Sequence, residues 1–64
     1  MIRVNGKEIE KKFAMLGEYL RSENYDLKRI AVELNGEIAP KSKYDEISLK
    51  DGDKLEVVNF VGGG

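Results

Sequence analysis

The chain closes on Val61-Gly62-Gly63-Gly64. Glycine has no Cβ, so such a tail is slim and free to extend. It can thread a narrow slot in another protein, with Gly62 and Gly63 along the slot and the α-carboxylate of Gly64 at its end. That carboxylate is ionised at neutral pH, with a reference pKa of roughly 3.3–3.7, and is a poor electrophile. Any reaction there needs prior activation, for which ATP on a partner enzyme is the obvious source. The competing reading is an ordinary frayed end or a linker remnant. The rest of the chain decides between them.

Other chemistry is largely excluded. The sequence holds no cysteine and no histidine. Disulfides, thiolate nucleophiles, the usual zinc and copper ligands and any Ser-His or Cys-His pair are therefore absent. Asp51-Gly52-Asp53 has the look of a calcium loop, but the ligand spacing around it is wrong and a turn explains it. No metal site is expected. Lys7, Lys11 and Lys12 cluster near the helix start and could touch an anion, but a solvated face is the preferred reading. The glutamates are scattered, and nothing supports a catalytic carboxylate pair among them. The chain is not expected to be an enzyme.

With 64 residues, the chain makes one domain. Eleven basic and twelve acidic residues leave a net charge of −1, which argues against a nucleic-acid partner. No apolar run approaches a membrane span. Met1 to Asn5 enters an alternating pattern directly and lacks an apolar leader. A soluble cytoplasmic protein is expected.

The elements that must position the tail follow from periodicity. Ile2 and Val4 alternate with Arg3 and Asn5, a strand with one buried face. Asn5-Gly6 is a strong hairpin signal, because both turn positions need positive φ. The return strand runs to about Lys11 with Ile9 inward, and Arg3 falls opposite Glu8. From about Ala14 to Glu23 the period changes, and Leu16, Tyr19 and Leu20 form one helical face. Gly17 inside the helix implies a close packing contact, and Asn24 suits a left-handed cap. Ile30, Val32 and Leu34 make a third strand, Asn35-Gly36 a second turn, and Glu37 to Ala39 a short strand stopped by Pro40. Tyr44 and Ile47 anchor a helical turn. Leu49 to Asp53 reads as a turn, and Lys54 to Phe60 as the last strand.

Together these predict an α+β fold. One helix crosses a mixed sheet of four to five strands. The core is Ile2, Val4, Ile9, Leu16, Leu20, Ile30, Val32, Leu34, Leu55 and Val57. Residues 1–60 form the domain and 61–64 a flexible tail. A right-handed crossover brings the third or the last strand parallel to the first. With Leu55 and Val57 inward, alternation sends Glu56, Val58 and Phe60 outward. Val58, Phe60 and Val61, next to the tail, form the expected docking patch for a partner.

This order resembles the ubiquitin-like β-grasp fold, and within it the ThiS family of thiamin-biosynthesis sulfur carriers. The resembling stretches are Ile2-Arg3-Val4-Asn5-Gly6, Val32 to Ile38, Leu49 to Val58 and, most specifically, Phe60-Val61-Gly62-Gly63-Gly64. Lys11 to Met15 departs at the helix entrance, where these carriers often have Thr or Ser. The resemblance implies that an E1-like, ThiF-type enzyme adenylates Gly64 with ATP. Sulfur from a cysteine desulfurase or rhodanese-type donor then gives a thiocarboxylate. That group supplies a ThiG-type thiazole synthase with sulfur for the thiazole ring of thiamin. No cofactor is bound by the chain itself. A molybdopterin-type carrier, a ubiquitin-like modifier and a TGS-like binding module are the alternatives. One residue added after Gly64 would disable carriers and modifiers and spare a binding module.

Overall fold

The last strand is the axis of the sheet. The computed structural model describes residues 1–60, so Val61, Gly62, Gly63 and Gly64 lie outside the described residues. Among the described residues five strands are formed: β1 (Ile2–Val4), β2 (Lys7–Ile9), β3 (Ile30–Leu34), β4 (Glu37–Ala39) and β5 (Lys54–Asn59). The helix α1 spans Leu16–Ser22, and a short 3-10 turn spans Lys41–Lys43. The strand order is β2-β1-β5-β3-β4, which puts β5 in the centre. β1 and β5 run parallel; β1 with β2, β3 with β4 and β3 with β5 run antiparallel. Of the two placements open to the crossover, it is the last strand that lies parallel to the first. This is a β-grasp sheet held by one helix.

The two hairpins form as their turn residues require. Asn5 and Gly6 take φ of 51° and 83°, and Asn35 and Gly36 take 53° and 86°. Arg3 lies opposite Glu8, with an exposed ion pair of 3.5 Å.

The helix is shorter than its periodicity predicts. Met15 is extended (φ −115°, ψ 147°) and forms a bridge with Ser48, and the Ala14 carbonyl accepts from the Leu49 amide. These bonds hold the chain before Leu16 in strand geometry. Without a Ser or Thr cap, the Glu18 carboxylate reaches back to accept the Met15 N–H at 3.0 Å. At the other end Asn24 takes φ 62°, and its amide donates to the Arg21 carbonyl. Gly17 has the close contact that its place in a helix implies. Its N–H donates to the Tyr44 carbonyl at 2.9 Å, and a Cβ there would meet the Asp45 carboxylate.

The core differs from the expected set at its rim. Ile2, Val4, Leu16, Leu20, Ile30, Val32, Leu55 and Val57 are buried as expected. Ile9 and Leu34 are only half-buried, because one lies on the edge strand β2 and the other at the end of β3. Tyr19, Ala39, Tyr44 and Leu49 join the core instead. Leu49 reads as turn in the sequence, yet its bond to Ala14 draws it beneath the helix entrance. Among the described residues, no helix is long and apolar enough to cross a membrane.

Candidate functional site

The site is the exit of β5, and its geometry starts with two asparagines. Each Asn-Gly turn closes its own hairpin and also grips β5. On one side the Asn5 N–H donates to the Leu55 carbonyl at 2.9 Å. The Asn5 side chain goes further: its Oδ1 accepts the Val57 N–H at 2.8 Å, and its Nδ2 donates to the Val57 carbonyl at 3.3 Å. It thus stands in for a strand residue that β1 lacks, since the β1–β5 pairing ends at Val4 opposite Leu55. On the other side the Asn35 N–H donates to the Lys54 carbonyl at 2.8 Å, and Asn35 Oδ1 accepts the Lys54 N–H at 2.9 Å. Sequence reasoning placed both asparagines in their turns and missed this second task. The signal was their amide, which offers a donor and an acceptor where Asp or Gly would not.

Past Val57 the strand is held from the β3 side. Ile30 lies opposite Asn59, and the Phe60 N–H donates to the Arg29 carbonyl at 2.7 Å. That bond anchors the last described residue. Beyond it four residues remain, which reach at most about 14 Å fully extended.

The alternation expected for β5 holds. Leu55 and Val57 face the core, while Val58 is 55% and Phe60 54% exposed on the opposite face. No bulge shifts the phase, and Phe60 does not fold under the sheet. Ile38, 69% exposed on β4, is a further large apolar side chain that the sequence reading left out of the patch. Ala31 lies opposite Val58 and Glu33 opposite both Ile38 and Glu56. An apolar patch with two carboxylates therefore covers the outer face beside the exit. The expected docking residue Val61 and the tail residues Gly62, Gly63 and Gly64 lie outside the described residues.

The remaining candidates separate from the site. Lys7 and Lys12 line a groove of about 550 Å³ on the helix side, but Glu10 and Glu23 line it too, so it is not an anion cradle. Lys11 is not part of that lining. At the Asp51-Gly52 turn the carboxylates are already engaged. Asp51 takes the Met1 ammonium at 2.8 Å, and Asp53 accepts from the Lys50 N–H and the Asn35 side chain. Among the described residues no group of acidic side chains is placed to hold a metal. The Asp51 carboxyl is held below the usual carboxylate range by its hydrogen bond from the N-terminal ammonium, then by that group's charge. Burial pushes the Tyr19 phenol up, with Glu23 and Tyr25 adding to it, and burial likewise raises Tyr44. None of these shifts is at the β5 exit.

The comparisons with known proteins agree with this geometry. The model of the ThiS family matches residues 2–64. The sulfur carrier protein ThiS of Bacillus subtilis (strain 168) is 39% identical over 66 residues, covering 100% of both chains. A thiazole synthase of Paramagnetospirillum magneticum is 47% identical over 62 residues, and the chain spans only 19% of that protein's length. The crystal structure of the thiamine biosynthesis protein ThiS from Geobacter metallireducens superposes with a TM-score of 0.81 at 34% identity, covering 98% of this chain and 97% of that one. A family match that runs from β1 through the glycine end, on a fold shared over nearly its whole length, is decisive: the chain belongs to the ThiS family.

Proposed function

We propose that this protein is a sulfur carrier of thiamin biosynthesis, a protein that is itself a substrate and not a catalyst. The observation that carries the reading is the match to the family over residues 2–64, glycine end included, on a domain whose central strand leads into that end. With no cysteine in the chain, the terminal carboxylate is the group left to take up transferable sulfur.

In the proposed reaction a ThiF-type enzyme admits the tail, with Gly62 and Gly63 in its slot. The Gly64 carboxylate attacks the α-phosphorus of ATP, forming the acyl adenylate and releasing pyrophosphate. A sulfur nucleophile from a cysteine desulfurase or rhodanese-type donor then displaces AMP. The outer sulfur of the donor's persulfide thereby forms an acyl disulfide, and a second thiol cleaves its S–S bond, leaving the thiocarboxylate on Gly64 and a disulfide between that thiol and the donor. A ThiG-type thiazole synthase takes that sulfur into the thiazole ring; a thiazole synthase already carries a stretch similar to this chain. ATP is bound by the partner and not by this chain, and the reaction belongs in the cytoplasm. Residues 1–60 act as the mount and 61–64 as the working tail. Val58, Phe60 and Val61 contact the enzyme as the tail enters.

The test is an intact-mass spectrum before and after incubation with the adenylating enzyme, ATP and a sulfur source. A gain equal to one oxygen-for-sulfur exchange, mapped to Gly64, is expected. No gain, with an enzyme shown to be active on another carrier, would refute the reading. Phe60→Ala is expected to weaken activation with little loss of folding; large destabilisation with unchanged activation would remove Phe60 from the docking patch.

A further inference from the structure

The outer sheet face has an electrostatic peculiarity. Glu33 of β3 and Glu56 of β5 are directly opposite each other across the ladder. Side chains so placed have Cβ atoms about 4.5–5.5 Å apart, and like charges there destabilise a sheet. Yet none of the ion pairs formed among the described residues involves Glu33 or Glu56. Lys54 lines the same shallow groove with Asn35 and Gly36 but forms no ion pair with either carboxylate. The arginines at the sheet are engaged elsewhere, Arg3 with Glu8 at 3.5 Å and Arg29, just before β3, with Asp26 at 3.6 Å.

The apolar half of the face adjoins this pair. Ile38 lies across from Glu33, and Val58 follows Glu56 two residues along β5 on the same face, with Phe60 beyond. A surface of this kind fits a partner that brings one cation surrounded by apolar groups. Arginine fits better than lysine. Its planar fork can take two carboxylates at once, it is more weakly hydrated, and it stacks on an aromatic ring such as Phe60.

Proximity says which partner. The four residues after Phe60 span at most about 14 Å. An enzyme that takes Gly64 into its active site must therefore stand against the end of β5, where Phe60, Val58 and Glu56 lie in sequence along one face. We propose that the Glu33–Glu56 pair is the receptor for an arginine of the adenylating enzyme, seated between the carboxylates and flanked by Ile38, Val58 and Phe60. This rests on the sulfur-carrier reading. Among the described residues neither carboxylate has an ion-pair partner; on the enzyme the arginine supplies one to both, which selects for the right surface.

The test uses the full chain with its ThiF-type enzyme and ATP, comparing wild type with Glu33→Gln/Glu56→Gln. The amides are isosteric with the half-buried Glu33 and the exposed Glu56 and preserve the fold, and a thermal melt no lower than wild type checks this. KM and kcat for adenylation are read by pyrophosphate exchange at low and high salt. The double variant is expected to raise KM by about tenfold at low salt, flatten its salt dependence and leave kcat unchanged. A KM within about twofold of wild type with the same salt dependence overturns the proposal. It also falls if the substitutions change only self-association, or only binding to the thiazole synthase. Failure of the wild-type carrier itself to be adenylated would refute the sulfur-carrier reading, and this inference with it; a normal wild type with an unaffected variant refutes the inference alone.

Discussion

Replacing Asn5 by glycine isolates what its side chain does for the central strand. Asn5 sits at φ 51°, which glycine adopts freely, so the turn survives the change. What is lost is the pair of bonds to Val57, at 2.8 and 3.3 Å and part-buried. A net hydrogen bond contributes about 0.5–1.5 kcal/mol, and the longer of the two belongs at the low end. The expected loss is therefore about 1.5 kcal/mol, which in a domain of this size lowers Tm by about 6–12 °C. Asn5→Ala should lose about 1 kcal/mol more, because alanine resists positive φ. Urea unfolding followed by circular dichroism gives the stabilities, and amide exchange locates the effect. Protection of the Val57 N–H should fall in Asn5→Gly by more than the global loss, while the Phe60 N–H, bonded to Arg29 on the other side, should follow the global loss. A loss below about 0.5 kcal/mol with Val57 protection unchanged would show that the side chain does not hold β5, and would refute the reasoning.

At Gly17, alanine gains up to about 1 kcal/mol in helix propensity but pushes on the Asp45 carboxylate, whose exposed ion pair with Arg21 contributes no more than about 1 kcal/mol. Gly17→Ala alone should therefore leave the urea midpoint nearly unchanged, whereas adding it to Asp45→Ala should stabilise; the same small effect in both backgrounds would count against the contact. The buried Tyr44 hydroxyl has no hydrogen-bond partner among the described residues, so Tyr44→Phe is expected to raise stability by about 1 kcal/mol in the same assay. Because burial raises the Tyr44 and Tyr19 phenols, their neutral forms support the fold below the ordinary tyrosine range and that support is lost as pH rises through the higher folded values. Alkaline unfolding of Tyr44→Phe, followed by circular dichroism, should accordingly move to higher pH. The Asp51 carboxyl is depressed, so its contribution is complete above the ordinary aspartate value and lost as pH falls through the lower folded one. Asp51→Asn should flatten the stability profile below about pH 4 in urea titrations, and an unchanged acid limb would contradict the bond to the N-terminus.

Period and turn chemistry made most of the fold legible. Ile2, Val4, Leu55 and Val57 announce their faces by alternation, and the two Asn-Gly pairs announce hairpins. The parallel pairing of β1 with β5 was one of two options until the sheet order decided it. Local reading failed where distant backbone groups compete for a residue. Met15 is kept out of the helix by Ser48, and Leu49 is taken from its turn by Ala14. No window around either residue contains its partner. At the site, Val58 and Phe60 were legible because an outward apolar residue in an alternating strand needs a reason. Ile38 and Glu33 were not, since their place beside Val58 and Glu56 depends on the register of three strands. The cross-strand meeting of Glu33 and Glu56 is a fact of register alone.

The parallel pairing of β1 and β5 has a mechanical consequence. Met1 is fixed at the start of β5, by Asp51 and by the bond from the Gly52 N–H to its carbonyl, while the tail leaves from the other end. A pull on the tail against a load at the N-terminus therefore runs along the two strands in opposite directions. It loads the bonds from the Arg3 N–H to Asp53, from the Asn5 N–H to Leu55 and from the Val57 N–H to the Asn5 side chain together, in shear, instead of unzipping them one at a time. Under the proposed function, tension applied to the tail would thus be borne without peeling the domain open. Pulling from a point on β2, across the strands, should open the same sheet at much lower force.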